Sequence, residues 1–341
     1  MVGRPLWERK VPSSSLGAPM FPMNNTTDNL PNLTFRHRAD RGYKVLGNGS
    51  QHIVESSSFE PLYPFEALVL SVDYHPRENE SLLTEVQIQQ HGVWSKFFKL
   101  GFYSATEKYS FDTQEDESGA VYVDVLRCAH AAQRYRFRLT INGQADIPAV
   151  TVCLHPSSRA RELFVEVLPA EKRLIKVKPI SQMQLDVAPE VQKRLCSPTS
   201  LTMALNALGV KADALETAKA VYDKYADIYG NWTFNTAYAC ACGVDACVTR
   251  FKKLSQLERY VTPDSLVLAT IGYGPNELSD AAIEQTPGHF VVICGWENEW
   301  IRVADPAASE TDDVLRFYNA KEFAKVWLAN KNGAAYLVRK K

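Results

Sequence analysis

Between residues 35 and 170 the chain alternates apolar and polar side chains over short stretches, and this pattern constrains its fold more than any other feature. Side chains on a strand point to opposite faces in turn, so the pattern predicts strands with one buried face. The clearest such stretches are 68–72, 83–88, 121–126 and 135–141. Polar turns such as Asn142-Gly143 follow at intervals suited to two packed antiparallel sheets. We therefore expect an all-β sandwich over residues 35–170, of a jelly-roll-like or immunoglobulin-like kind.

Aromatic residues in this half allow two interpretations. They are Trp94, Phe97, Phe98, Phe102 and Tyr103. Such rings either fill the core of the sandwich or form a platform for a sugar ring or a peptide. The pattern leaves both open, and with them a glycan or cell-wall contact through this domain.

The second half of the chain begins with helical patterns and ends with strands. Apolar residues after Cys196 recur at helical spacing and stop at Gly209, which predicts a helix that opens at the cysteine. A helical pattern at 319–330 and an apolar stretch at 334–338 predict a helix and a closing strand. The chain as a whole is therefore expected to be α+β.

Cys196 is a candidate nucleophile because of this position. The N-terminus of a helix offers free N–H groups and a positive dipole end, which favour the thiolate. A buried structural cysteine that opens an ordinary helix would show the same pattern.

His289 and Asp305 lie at the two ends of a predicted hairpin. Strand 289–296 starts after Pro287-Gly288, and strand 300–304 ends at Asp305-Pro306. Antiparallel pairing brings these ends together, so a carboxylate can orient the imidazole. An imidazole that takes the thiol proton and a carboxylate that fixes its tautomer complete a cysteine-nucleophile site, and the order Cys, His, Asp is typical of papain-like enzymes.

Several motifs together give the second half a resemblance to a known family. They are Ile180-Ser181-Gln182, Cys196-Ser197-Pro198-Thr199-Ser200 followed by Met203, Gly230-Asn231-Trp232, Thr286-Pro287-Gly288-His289-Phe290 and Asp305-Pro306-Ala307. Residues 178–341 thereby resemble the papain-like cysteine peptidases related to the bacteriocin-processing endopeptidases. A weaker resemblance, in the run 93–101, is to the β-domain that such bacterial peptidases carry in front.

The resemblance implies a papain-like fold and a role for each site residue. Cys196 corresponds to the nucleophile, His289 to the base, Asp305 to the orienting acid and Gln182 to the oxyanion-hole glutamine. Gln184 is an alternative to Gln182. The implied function is a cysteine peptidase or related amide hydrolase that acts on a peptide or protein substrate, without a cofactor. An acyl-transferring or deamidating relative with the same triad, and a glycan- or protein-binding module on a papain-like scaffold, are the alternatives.

The other cysteines are assigned to the interior. Cys240, Cys242 and Cys247 have a C-x-C-x4-C spacing that does not fit a zinc ribbon or knuckle, and no nearby histidine supplies a further ligand. Cys128, Cys153 and Cys294 lie in or beside apolar strand patterns. We predict no metal site.

Charge and length limit the partners and the organisation. A formal net charge of −1 gives no reason to expect nucleic acid, and no apolar stretch approaches a membrane span. No secretory signal is visible, so both a secreted and a cytoplasmic location stay open. The 341 residues suffice for two domains. We predict a flexible arm at 1–34, rich in Pro, Ser and Asn, the sandwich at 35–170, and the papain-like domain at 171–341, with an edge strand or linker at 172–179.

Overall fold

The computed structural model describes residues 34–37, 43–46, 50–143, 146–157 and 167–341. The predicted arm lies outside these residues except for Thr34, where the first strand begins. The N-terminal half is rich in strands, as predicted, and the C-terminal half combines helices with one sheet. The α+β class expected from the sequence is consistent with this content.

The described N-terminal half consists of strands joined by turns. They are β1 (Thr34–His37), β2 (Tyr43–Leu46), β3 (Gln51–Ser56), β4 (Phe65–Asp73), β5 (Ser81–Gln90), β6 (Val93–Trp94), β7 (Phe98–Ser104), β8 (Lys108–Tyr109), β9 (Gln114–Asp116), β10 (Gly119–Tyr122), β11 (Val125–Ala132), β12 (Arg134–Asn142) and β13 (Ala149–Pro156). One sheet has the order β1-β13-β4-β11-β10-β9, and the other has the order β2-β3-β12-β5-β7-β8 with β6 paired to β5. The buried faces of both sheets contribute to one core.

Strand β12 shows why the sequence pattern works here. Tyr135, Phe137, Leu139 and Ile141 are buried, while the residues between them are partly exposed. The predicted strands at 68–72, 83–88 and 135–141 fall within β4, β5 and β12.

The predicted strand at 121–126 is wrong as a single element. It is two strands, β10 and β11, separated by a turn at Val123 and Asp124. Val123 has a φ of 59°. A β-branched residue rarely adopts this left-handed conformation, so the alternating pattern does not predict a turn at Val123.

The C-terminal half has short helices around a single antiparallel sheet. The helices are α1 (Pro189–Gln192), α2 (Cys196–Ala207), α3 (Ala214–Val221), α4 (Trp232–Ala241), α5 (Leu257–Tyr260) and α6 (Ala320–Ala324), with 3-10 turns at Gln182–Gln184, Leu254–Gln256 and Thr311–Asp313 and a π-helical turn at Lys325–Ala329. The strands are β14 (Arg173–Leu174), β15 (Val244–Arg250), β16 (Ser265–Tyr273), β17 (Thr286–Glu297), β18 (Trp300–Ala304), β19 (Leu315–Asn319) and β20 (Ala334–Lys340). Their order is β15-β20-β16-β17-β18-β19, with β14 paired to β17.

The predicted helix at Cys196, the β17–β18 hairpin and the closing strand β20 are all present. Helix α2 ends before Gly209, whose φ of 90° suits a helix-terminating glycine. The helix packs on β17, where the Ser200 hydroxyl donates to the Phe290 carbonyl over 3.0 Å. The nucleophile's helix is therefore fixed directly to the strand that carries His289.

Helix α4 belongs to the cores of both halves. Phe234 and Ala237 pack into the N-terminal core, whereas Ala239 and Cys240 pack into the C-terminal one. The Tyr103 hydroxyl donates to Thr233 Oγ1 over 2.9 Å. Because the halves share a helix, a boundary near residue 170 stays a prediction.

Further polar contacts join the two halves along β15. Arg36 donates from both terminal nitrogens to Asp245, over 2.9 and 2.6 Å. The Val248 N–H donates to Ser71 Oγ over 3.0 Å. These bonds are largely shielded from water, so they fix the relative position of the halves.

Gly333 is expected to tolerate no side chain. A Cβ built on it would lie 1.8 Å from the Phe251 carbonyl oxygen, and its φ is 63°. Gly333→Ala should lower the free energy of unfolding by about 3 kcal/mol or more, since overpacking adds to the left-handed penalty. Gly209→Ala is the control: its φ is also positive, but nothing lies within 4 Å, so only about 1–2 kcal/mol should be lost. Denaturant unfolding of both variants checks this, and equal losses would contradict it.

Candidate active site

Cys196 is the first residue of helix α2 and is half-buried. Leu195 precedes it in a non-helical conformation, and Pro198 stands in the first turn, where its missing N–H costs little. No side chain caps this end of the helix. The thiol therefore lies beside backbone N–H groups that have no partner within the helix.

His289 and Asp305 meet as the hairpin predicts. His289 lies near the start of β17, and Asp305 follows the last residue of β18. His289 Nε2 is 2.7 Å from Asp305 Oδ1, and both side chains are buried. Since Nε2 is bound to the carboxylate, Nδ1 is the ring nitrogen left for the thiol.

Both oxygens of the Asp305 carboxylate accept hydrogen bonds. Oδ1 also accepts from the Ala307 N–H over 2.9 Å, and Oδ2 accepts from the Tyr318 hydroxyl over 2.7 Å. Burial alone would raise the pKa of Asp305, but the charge and hydrogen bond of His289, with those from Tyr318 and Ala307, hold it below its usual value. The carboxylate thus stays charged inside the protein.

The His289 imidazole binds a proton more readily than the imidazole of a histidine in water. Burial lowers the pKa of His289, yet the charge of Asp305 and its hydrogen bond, together with Cys196, outweigh burial and raise the pKa. The electrostatics therefore favour an imidazolium beside the thiol.

Cys196 differs from every other cysteine of the chain. Burial raises the pKa of its thiol. The hydrogen bond and charge of His289, together with a hydrogen bond from the Phe290 backbone, outweigh burial, so the net shift of the pKa is downward. In the other six cysteines the pKa is raised, with burial the largest cause; they are Cys128, Cys153, Cys240, Cys242, Cys247 and Cys294. Cys196 is thus the one thiol whose pKa lies below its ordinary value.

The structure distinguishes the two candidate glutamines. Gln182 is buried. Its backbone N–H donates to Pro306 O and its side-chain Nε2 donates to Gln192 O, each over 2.8 Å. Its Oε1 has no hydrogen-bond partner among the described residues. Gln184 is exposed, and its Nε2 donates to Glu310 over 2.6 Å. Gln182 thus lies buried beside Pro306, directly after Asp305, whereas Gln184 contacts Glu310 at the surface.

Sequence reasoning missed two side chains that support the site. Tyr318, on β19, is buried and donates to Asp305. Asn235, on α4, accepts from the Ser197 hydroxyl over 3.0 Å. No sequence signal links either residue to its partner.

Trp232 is the first residue of helix α4. It is half-buried, and its ring packs edge-on against Phe290 and Tyr336 at centroid distances of 6.0 and 6.3 Å. It therefore touches the residue that follows His289.

The remaining cysteines lie in or beside regular structure. Cys240 is in α4, Cys242 follows that helix, and Cys247 is on β15; all seven cysteines of the chain are free thiols. In the described part of the chain, no group of three or more His, Cys, Asp or Glu residues could hold a metal ion.

Most of the aromatic residues of the N-terminal half are accounted for by packing. Phe98 and Tyr103 are buried in the core. Trp94 and Phe97 both pack against the guanidinium of Arg136, 4.8 and 5.4 Å from their ring centroids.

Over the described residues, no helix has the length and apolarity that a membrane crossing requires.

Two family models match parts of this chain. The Peptidase C39-like family model matches residues 174–335, and the model of the Peptidase C39 N-terminal domain matches residues 52–154. No curated protein matches the chain.

Solved structures with some likeness match about half of the chain. One is a double glycine motif protease from an AMS/PCAT transporter in complex with its leader peptide, with 16% identity and a TM-score of 0.35; it covers 51% of this chain and 99% of its own. Another is a C39-like peptidase from Bacillus anthracis, with 15% identity and a TM-score of 0.37; it covers 50% of this chain and 98% of its own. The assignment rests on the two family models: the chain carries a Peptidase C39-like family domain, preceded by a Peptidase C39 N-terminal domain.

Proposed function

We propose that this protein is a cysteine peptidase in which Cys196 is the nucleophile, His289 the general base and acid, and Asp305 the orienting carboxylate. The observation that carries the proposal is the buried His289–Asp305 pair, 2.7 Å apart, whose imidazole contacts the thiol that opens helix α2. A thiolate beside an imidazolium that a buried carboxylate holds is the activated form of this nucleophile.

The reaction then follows from the placement of the three groups. The Cys196 thiolate attacks the peptide carbonyl, the C–N bond breaks, and the His289 imidazolium gives its proton to the leaving amine. A thioester remains on Cys196. Neutral His289 then takes a proton from water, whose oxygen attacks the thioester, and the C–S bond breaks to return the thiolate.

Gln182 is our candidate for stabilising the oxyanion, with the Cys196 N–H as the second donor. Its Nε2 carries two hydrogens, and the bond to Gln192 O uses one of them. Burial and the bond from Nε2 to Gln192 O hold the amide in place, as a preorganised donor requires. Gln184 is exposed, and its amide is bound to Glu310 and Thr311 at the surface.

The finer fold assignment belongs to the same proposal. We regard residues 171–341 as papain-like, because α2 packs on the sheet that carries His289 and Asp305. Residues 35–170 form a sandwich in this view, since two antiparallel sheets share one core. The substrate is a peptide or protein.

Peptide hydrolysis in water labelled with heavy oxygen tests the function. The protein would be incubated with a diverse peptide library, and the products read by mass spectrometry. We expect cut peptides whose new carboxyl groups carry the label, and none from Cys196→Ala. Unlabelled products joined to an added amine would indicate acyl transfer, and uncut peptides with labelled glutamate in place of glutamine would indicate deamidation. Products that persist in Cys196→Ala would exclude Cys196 as the nucleophile.

A further inference from the structure

The turn between β10 and β11 reaches from the N-terminal half to the start of helix α4. The Asp124 carboxylate, which is buried, accepts hydrogen bonds from the backbone N–H groups of Trp232 and Thr233. Asn231 caps the next N–H, that of Phe234, over 3.1 Å. The first turn of α4 is thus held mainly by a residue from the other half of the chain.

Helix α4 touches both sides of the proposed Cys196–His289 pair. Asn235 accepts from the hydroxyl of Ser197, the residue after Cys196. The ring of Trp232 packs on Phe290, the residue after His289. A shift of α4 would therefore move the thiol and the imidazole relative to each other.

The same Trp232 links the two contacts. Its backbone N–H is bound to Asp124, while its ring lies against Phe290 and Tyr336. Trp232 therefore contacts both the β10–β11 turn and the strand that carries His289.

Two features of the turn are unfavourable for stability. Val123 has a φ of 59°, an outlier for a β-branched residue. Asp124 is a buried carboxylate whose pKa is raised to about 7, first by burial and further by the nearby Asp223, against the hydrogen bonds from α4. Tyr103 and Tyr336 also face this carboxylate. Strain and buried charge at one turn are more typical of a functional site than of a stabilising one.

We propose that Asp124 is a positioning residue: it holds α4 so that the helix sets the separation of Cys196 and His289, which makes the N-terminal half a working part of the active site. The inference rests on the proposed peptidase function, because it concerns the geometry of the same pair. Asp124 touches neither substrate nor reacting atoms.

Two variants of the full-length protein test this. Asp124→Ala removes the acceptor, whereas Asp124→Asn keeps an oxygen for the two N–H groups and removes only the charge. Glu85→Gln is the matched control, since Glu85 is also buried, with a raised pKa, but lies on β5 of the other sheet beside Arg138. Each protein would be alkylated with iodoacetamide at neutral pH, and amide hydrogen exchange would be followed in the peptide covering Trp232 and Thr233.

Asp124→Ala is expected to speed exchange at the start of α4 and to slow alkylation of Cys196 by about tenfold or more, because small misplacements of reacting groups have large effects. Asp124→Asn should stay within a factor of about three of the native rate, and Glu85→Gln should match the native protein on both readouts. Faster exchange with unchanged alkylation in Asp124→Ala would overturn the proposal and leave Asp124 a merely structural cap.

Failure of the proposed function gives a different result. In that case native Cys196 would react as slowly as it does in His289→Ala, whatever residue stands at position 124. There would then be no Cys196–His289 pair for Asp124 to position, and both proposals would be wrong. A native rate that depends on His289 but not on Asp124 would overturn the positioning role alone.

Discussion

Replacement of His289 by alanine is expected to move the pH midpoint of Cys196 alkylation upward to ~8.5 or above. In the native protein, the hydrogen bond and charge of His289 outweigh burial and lower the pKa of Cys196. The variant keeps the burial, which raises the pKa, and loses the stabilising imidazole. At a pH below both midpoints the alkylation rate should therefore fall by about tenfold for each pH unit between them, because only the thiolate reacts.

The direction of the native profile follows from the two shifts. As pH rises through the lowered pKa of Cys196 the thiolate forms, and alkylation reaches a plateau that persists at higher pH. Peptide hydrolysis should instead fall again above the raised pKa of His289, because the imidazolium that protonates the leaving amine is lost.

Mass spectrometry of the Cys196 peptide after timed alkylation measures these rates. The other six cysteines are an internal control, since burial raises the pKa of each and they should react slowly in both proteins. Identical profiles for the native protein and His289→Ala would refute a Cys196–His289 pair.

Replacement of Asp305 by alanine is expected to lower the free energy of unfolding by about 3–5 kcal/mol, the usual cost of breaking a buried ion pair from one side. Asp305 is fully buried and accepts from His289, Ala307 and Tyr318. Its loss leaves three donors without an acceptor in the interior. It also removes the charge that raises the pKa of His289, so the imidazolium beside Cys196 should be destabilised.

Two milder variants separate these effects, with denaturant unfolding and Cys196 alkylation as the measurements. Tyr318→Phe removes one hydrogen bond and should cost about 1–2 kcal/mol while the His289–Asp305 contact persists. Asp305→Asn keeps an oxygen for His289 and should retain most of the stability, while the missing charge weakens the imidazolium. If Asp305→Ala were as stable as Tyr318→Phe, the carboxylate would not be the centre of this network.

The backbone arrangement of the candidate site could be predicted because each part depends on local sequence. A helix that opens at Cys196 and stops at Gly209, and a hairpin between His289 and Asp305, need only side-chain periodicity and turn residues. The partners of these groups could not be predicted, because Tyr318 and Asn235 reach the site through tertiary packing.

The β10–β11 turn shows a second limit. Residues 121–126 have the alternation of one strand, and Val123 is a poor turn residue. At this turn the Asp124 carboxylate accepts from two backbone N–H groups of α4, more than a hundred residues further along the chain. A local pattern cannot contain that contact.

Helix α4 also has a consequence for the order in which the protein is made. Ribosomes release a chain from its N-terminus, so both N-terminal sheets are synthesised well before Phe234, the helical residue that fills part of their core. During that interval the nascent sheets carry an apolar gap that only a later segment closes. The two halves thus complete their folding together, although one leaves the ribosome long before the other.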